Sequence, residues 1–201
     1  MSKLPHSFYL NSDVVRLSQS LLGKYLFTDL NDEGLTGGII VETEAYAGIT
    51  DRASHAFNNR RTKRTETMFA EGGICYVYLC YGIHHLFNVV TNLENIPHAI
   101  LVRAIEPTDG IPVMLQRRKK QKIDFSLTSG PGSMSAALGI TISHNFTDLQ
   151  SDKIWIEDRG FTIKPNQIIS SPRVGVGYAK EDALLPWRFR LKANDWVSRS
   201  A

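Results

Sequence analysis

Residues Tyr76 to Asn88 read Tyr-Val-Tyr-Leu-Cys-Tyr-Gly-Ile-His-His-Leu-Phe-Asn. Two apolar runs of strand composition flank a Tyr81-Gly82-Ile83-His84 corner, a pattern that commits this part of the chain to a β-hairpin. An aromatic inside a strand belongs to a core. One at the corner has no core within reach and stays in water unless a partner covers it. Upstream, Val41-Glu42-Thr43-Glu44-Ala45-Tyr46 runs a strand into two carboxylates and a tyrosine. An exposed aromatic, a short aromatic series and a candidate general base together point to chemistry on a flat ring.

Two hundred and one residues, 42% hydrophobic and 21% charged, describe an ordinary globular chain long enough for a full core. The residue pattern predicts an α+β fold: a single compact domain over 1–201, with a mixed, mostly antiparallel β core, short helices and a protruding hairpin. Ser12 is expected to cap a helix whose Val14, Leu17 and Leu21 share a face, with Gly23 as its stop. Strands are expected at Tyr25–Leu30, after a turn at Asn31–Gly34 again at Gly38–Glu44, and then at Ala99–Ile105. Residues 48–63 read as a long loop with at most one helical turn. Helices are expected at Val113–Gln121 and from Ser129 to Leu138. Short strands and turns follow at Lys153–Glu157, Arg173–Gly177 and Trp187–Lys192.

Cys75 and Cys80 are the chain's two cysteines, and five residues apart in one strand they point to opposite faces. A disulfide between them is excluded, and a reducing compartment follows. The opening Met-Ser-Lys-Leu-Pro-His has no leader character, and no apolar run reaches the length of a membrane span. The expected location is the cytoplasm, with no membrane partner. The cysteine and histidine spacings match no zinc motif, and no phosphate-binding loop, dinucleotide fingerprint or nucleophile elbow occurs.

Glu42 and Glu44 share strand parity and point to one side, where an arbitrary pair of this kind is a solvated strand edge. Tyr46 has the same parity as Glu44. Arg103 lies mid-strand on a face with Ala99, Leu101 and Ile105, and a guanidinium there needs a carboxylate. Such a pair serves equally to hold a water molecule or to act as a structural ion pair. Tyr46, His55 and Tyr78, brought together, would form a stacking slot for a planar heterocycle. The runs Arg60–Arg64 and Arg117–Lys122 concentrate positive charge in a chain of formal charge only +3, as a phosphate-contacting side requires. Ser129-Gly130-Pro131-Gly132, leading into a helix, is a weaker phosphate signal.

Seven segments in order and in register closely resemble the alkyladenine (3-methyladenine) DNA glycosylase family. They are Ile40–Tyr46, Asp51–His55, Met68-Phe69, Tyr76–Asn88, Leu101–Pro107, Ser129–Pro131 and Arg173–Val176. The resemblance covers nearly the whole chain from about residue 7. It implies a monofunctional enzyme of base excision repair that flips alkylated or deaminated purines (3-methyladenine, 7-methylguanine, hypoxanthine, ethenoadenine) out of duplex DNA. Hydrolysis of the N-glycosidic bond would leave an abasic site, with no cofactor and no metal, and the enzyme would act as a monomer. On this resemblance Glu44 is the general base and Glu42 a dispensable neighbour, while Arg103 and the Val174 backbone carbonyl position the water. Tyr46, His55 and Tyr78 stack the base, and the His55 amide hydrogen-bonds its edge. Asn88 rejects guanine and Tyr81 is the intercalating wedge. After Tyr81-Gly82 the chain departs from mammalian members, which carry Met and Tyr where Ile83 and His84 stand here. A silent nucleic-acid-binding module and a sugar hydrolase with paired carboxylates are the rival classes; Glu44 with Arg103 counts against the first, and the wedge with the basic runs against the second.

Overall fold

The computed structural model describes residues 2–30 and 33–198. Asn31 and Asp32 of the expected turn, and residues 1 and 199–201 of the expected domain, lie outside that range. The fold is α+β, built on one curled sheet whose named strand pairs are all antiparallel. Its strands are β1 (Ser2–Lys3), β2 (Tyr25–Asp29), β3 (Leu35–Tyr46), β4 (Cys75–Cys80), β5 (His84–Thr91), β6 (His98–Asp109), β7 (Ile154–Asp158), β8 (Ile168–Ser171) and β9 (Arg188–Leu191). The main path runs β1-β7-β2-β3-β6-β5-β4, and β9 joins it by pairing with β3. Among the described residues there are four short α-helices, α1 (His6–Tyr9), α2 (Val14–Ser20), α3 (Ile111–Arg117) and α4 (Pro131–Ala137), and several 3-10 turns, one of them at Phe57–Asn59 in the long loop.

Strand β3 organises the sheet. Along one side it pairs with β6 over nearly its whole length, and along the other its first half takes β2 and its second half β9. Register shifts around Ile40–Thr43 place an extra residue first in β3 and then in β6. Such bulges re-aim side chains. Ile105 therefore joins the main core with Ile100 and Val102 rather than sharing the face of Arg103, as strict alternation predicts. Gly38 permits the close crossing at a further register shift, between Gly37 and Gly38, since a Cβ there would sit 2.2 Å from the Glu106 carbonyl oxygen.

The main core fills the space between the sheet and α2 and α4, with Leu17, Leu21, Phe87, Val89, Met134 and Leu138 buried. Several local expectations shift. Asp13, not Ser12, caps α2 by accepting a hydrogen bond from the Arg16 N–H at 2.9 Å, because its carboxylate is the stronger acceptor for an open helix N-terminus. Helix α3 begins earlier, with Pro112 in its first turn, and ends at Arg117. Residues 173–177 are not a strand. The strand in that region is β8, and Arg173–Gly177 forms a loop that the cavity below puts to use.

Candidate active site

Strand β3 presents Glu42, Glu44 and Tyr46 on the face opposite Thr43, whose hydroxyl donates to the Ser18 carbonyl of α2 at 2.8 Å. Neither glutamate is at an edge. With β6 on one side and β9 on the other, both are fully buried, so the solvated-edge reading fails for both. Alternation along β3 finds the pair's common face, but burial depends on β9, more than 140 residues downstream.

Glu44 forms the floor of a cavity of about 690 Å³. Its Oε1 accepts the Val174 backbone N–H at 2.8 Å and lies 3.2 Å from Arg103 Nη1, and its Oε2 accepts the Tyr46 hydroxyl at 2.8 Å. A carboxylate has about four acceptor directions; the two hydrogen bonds and the Arg103 ion pair take up three and leave one, on Oε2, open. Burial and the neighbouring Glu44 carboxylate push the Tyr46 phenol well above its ordinary pKa, which keeps it a donor. Burial works against the charge on Arg103, but Glu44 and Glu42 outweigh it and the guanidinium is held protonated. The resemblance assigns the Val174 carbonyl to water, whereas the contact present here is its N–H on Glu44.

Of the three rings expected in the slot, His55 and Tyr78 touch, with Tyr76 beside them, and Tyr46 lines the same cavity without a ring contact to either. The His55 and Tyr78 rings meet edge to face with centroids 4.7 Å apart, and Tyr76 and Tyr78 lie 5.4 Å apart. His55 Nδ1 is 2.9 Å from the Tyr76 hydroxyl, while the Arg64 guanidinium approaches its Nε2 at 3.4 Å and covers the Tyr78 ring. An arginine only donates, so Nε2 is the acceptor and Nδ1 carries the proton. Burial, then Arg64 and Arg60, lower the His55 pKa to about 4, leaving the imidazole neutral at pH 7. The His55 backbone N–H has no acceptor among the described residues. Asn88 donates both amide hydrogens, to the Tyr76 carbonyl at 3.1 Å and the Leu86 carbonyl at 3.2 Å, which fixes its oxygen at the cavity wall.

Tyr81 stands at the β4–β5 turn and is 88% exposed. Tyr81 and Gly82 both have positive φ, 50° and 73°, and the Ile83 N–H closes the turn on the Cys80 carbonyl. Glycine holds such a conformation without strain; tyrosine does not. Leu79 and Ile83 are exposed beside it, so the corner is apolar as well as wet.

Four residues escaped the reading of individual side chains. Arg173, buried, grips both carboxylate oxygens of Asp51 and donates to the Ala45 carbonyl at 2.7 Å. Its guanidinium lies against both Tyr46 and Trp187. It thereby fixes the loop whose next residue, Val174, binds Glu44. Arg188 and Ser198 surround Glu42. Asp51 and Arg173 fall inside the matched segments, so the signal was present; Arg188 and Ser198 gave none.

The model of methylpurine-DNA glycosylase (MPG) matches residues 7–195. The chain belongs to the methylpurine-DNA glycosylase family. A Chlamydia felis protein is 48% identical over 189 residues, covering 94% of this chain and 95% of the relative. A Bacillus subtilis protein is 43% identical over 196 residues, covering 98% and 96%. One from Alkaliphilus oremlandii is 39% identical over 204 residues, covering 98% and 99%. All three bear the name "Putative 3-methyladenine DNA glycosylase". As a methylpurine-DNA glycosylase family member the chain is an enzyme of the DNA glycosylase type, a hydrolase of N-glycosidic bonds. Glu44, Tyr46, His55, Tyr78, Tyr81, Asn88, Arg103 and Val174 all line one cavity of this family member. Among the described residues no helix is long and apolar enough to cross a membrane.

Proposed function

We propose that this chain is a monofunctional glycosylase of base excision repair that removes alkylated or deaminated purines from duplex DNA, working as one domain, as a monomer, in the cytoplasm. The observation that carries the reading is Glu44 at the floor of a cavity walled by Tyr46, His55 and Tyr78. A base inside a stacked duplex cannot be attacked, so its nucleotide must first swing out, and a damaged or mispaired base does so at least cost. Tyr81 fills the vacated space, offsetting part of the lost stacking. In the slot the base stacks on the aromatics, the His55 N–H meets its edge, and Asn88 screens its exocyclic groups.

Glu44 uses its one open acceptor direction to hold a water molecule. As the N-glycosidic bond breaks, the base leaves with the bonding electrons and positive charge develops on the sugar, which the carboxylate stabilises. The water attacks the sugar carbon, gives its proton to Glu44, and leaves an abasic site. Arg103 helps to orient the water. A neutral His55 suits this chemistry, since 3-methyladenine and 7-methylguanine are cationic within the nucleotide and the ring adds no further charge to that of Arg64.

Duplex oligonucleotides carrying hypoxanthine, ethenoadenine or 7-methylguanine test the proposal. Wild type is expected to produce alkali-labile sites, and absence of release from every lesion sinks it. Glu44→Gln is expected to slow single-turnover excision at least ~100-fold while lesion binding persists, the range typical of losing a positioned acid–base group.

A further inference from the structure

We infer that the buried cluster of Glu42, Arg188 and Ser198 is a positioning device that holds Arg103 back from Glu44, keeping the last acceptor direction of Glu44 open for water. The inference rests on the catalytic reading of Glu44 given above. Arg103 lies between two fully buried carboxylates but treats them differently. Its Nε donates to Glu42 Oε1 at 2.8 Å in hydrogen-bond geometry. Its Nη1 comes within 3.2 Å of Glu44 Oε1 as an ion pair without a formal hydrogen bond. Its Nη2 reaches Ser198 Oγ at 3.4 Å.

Glu42 is anchored in turn. Its Oε1 also accepts from Arg188 Nε at 2.7 Å and from Ser198 Oγ at 2.8 Å, and its Oε2 accepts the Ser198 backbone N–H. Arg188 Nη2 donates to the Ser198 carbonyl at 3.1 Å, closing the segment after β9 over the carboxylate. Two glutamates and two arginines make this interior neutral. A buried ionic set is a weak source of stability, because apolar side chains of similar volume serve as well or better. A geometric role is the better account.

Removing the charge of Glu42 leaves Glu44 as the only carboxylate within reach of Arg103. The guanidinium then closes on Glu44 and grips both its oxygens, as an unpaired buried cation must find an acceptor. That occupies the Oε2 direction the water needs. The other groups facing Glu44 are Tyr46 from β3, Tyr78 from β4 and Arg173, whose own loop carries Val174, and none of them contacts Glu42. Glu42 is thus no bystander, contrary to the expectation drawn from the resemblance.

The experiment compares wild type, Glu42→Gln, Ser198→Ala and Ser198→Thr in single-turnover excision of hypoxanthine from a duplex, with lesion affinity measured for each. Glu42→Gln is expected to slow excision about 30-fold or more and change affinity less than about threefold. Ser198→Ala is expected to slow excision about 3- to 10-fold, with Ser198→Thr recovering it, and this pair decides the matter if Glu42→Gln does not fold. Wild-type rates in the variants overturn the inference and leave the catalytic reading standing. Loss of affinity in step with rate overturns it too, as the mark of a merely structural cluster. No release by wild type removes the catalytic reading and this inference together.

Discussion

His55 shows how a single side chain carries two readings that the structure joins. As a ring it is one wall of the aromatic slot; as a titratable group it is held neutral by burial and by Arg64 and Arg60. The folded state therefore resists protonating it between the ordinary histidine pKa of about 6.5 and its own value of about 4. In that window the unfolded chain binds the proton and the folded chain does not, so stability falls as pH drops from 6.5 toward 4 and is unaffected above it. At about 1.4 kcal/mol per unit, reduced because the ring is partly in water, the effect reaches about 2 kcal/mol by pH 4.5. His98 and His144 are also shifted down and add to the wild-type slope. His55→Gln is expected to be less stable than wild type at pH 7, by a gap that narrows by about 2 kcal/mol at pH 4.5 in urea denaturation. A gap independent of pH contradicts the assignment. The types of the site residues were readable from sequence because they sit in short segments of fixed spacing. The tautomer and charge of His55 were not, because the first comes from Tyr76 and Arg64 and the second from burial with Arg64 and Arg60.

At the scale of elements the β4–β5 hairpin was legible: alternating apolar residues and a Tyr-Gly corner specify both its strands and its turn. Its strain was not, since the sequence does not say that Tyr81 takes φ +50°. A non-glycine residue there costs on the order of 1–2 kcal/mol, and strain kept at an exposed position argues for use. Tyr81→Gly is expected to leave stability unchanged or raise it by up to about 1 kcal/mol, while weakening binding to a lesion-containing duplex at least ~10-fold. Thermal denaturation and a binding titration on the same variant read the two signs; a parallel loss of both removes the wedge role. Paired bulges in β3 and β6 were illegible for a different reason. Alternation is a local rule, and a bulge is decided by the partner strand, so Ile105 was assigned to the wrong face.

Over the whole molecule, charge placement matters more than the total of +3. The two basic runs, alike in sequence, have different fates. Arg117 pairs with Glu33 and donates to the Ala137 carbonyl, Arg118 donates to Ser126 and Ser133, and Lys120 pairs with Asp124. That run is largely structural. In the other, Arg61 pairs with Glu66, whereas Arg60 and Lys63 are exposed without a carboxylate partner among the described residues and Arg64 lines the cavity. Arg60→Gln with Lys63→Gln is expected to lower affinity for undamaged duplex about 10-fold or more at 0.1 M salt and to flatten the log K against log salt slope by about 1.5–2. Lys119 and Lys122 are also exposed without a carboxylate partner among the described residues, but no residue of their run lines the cavity, so Lys119→Gln with Lys122→Gln is expected to change affinity less than about threefold. Equal effects from the two pairs contradict the division.

The sequence by itself determined the antiparallel α+β class, the hairpin with its aromatic corner and the family, because each is written in short local segments. Only the tertiary structure decided that Glu42 and Glu44 are buried, that Arg103 is shared between them, and that Arg173 and Ser198 stand behind the pair. The reason is physical: β9 and the segments around it must travel across the fold to meet β3. A buried charge takes its meaning from partners that local spacing cannot reveal.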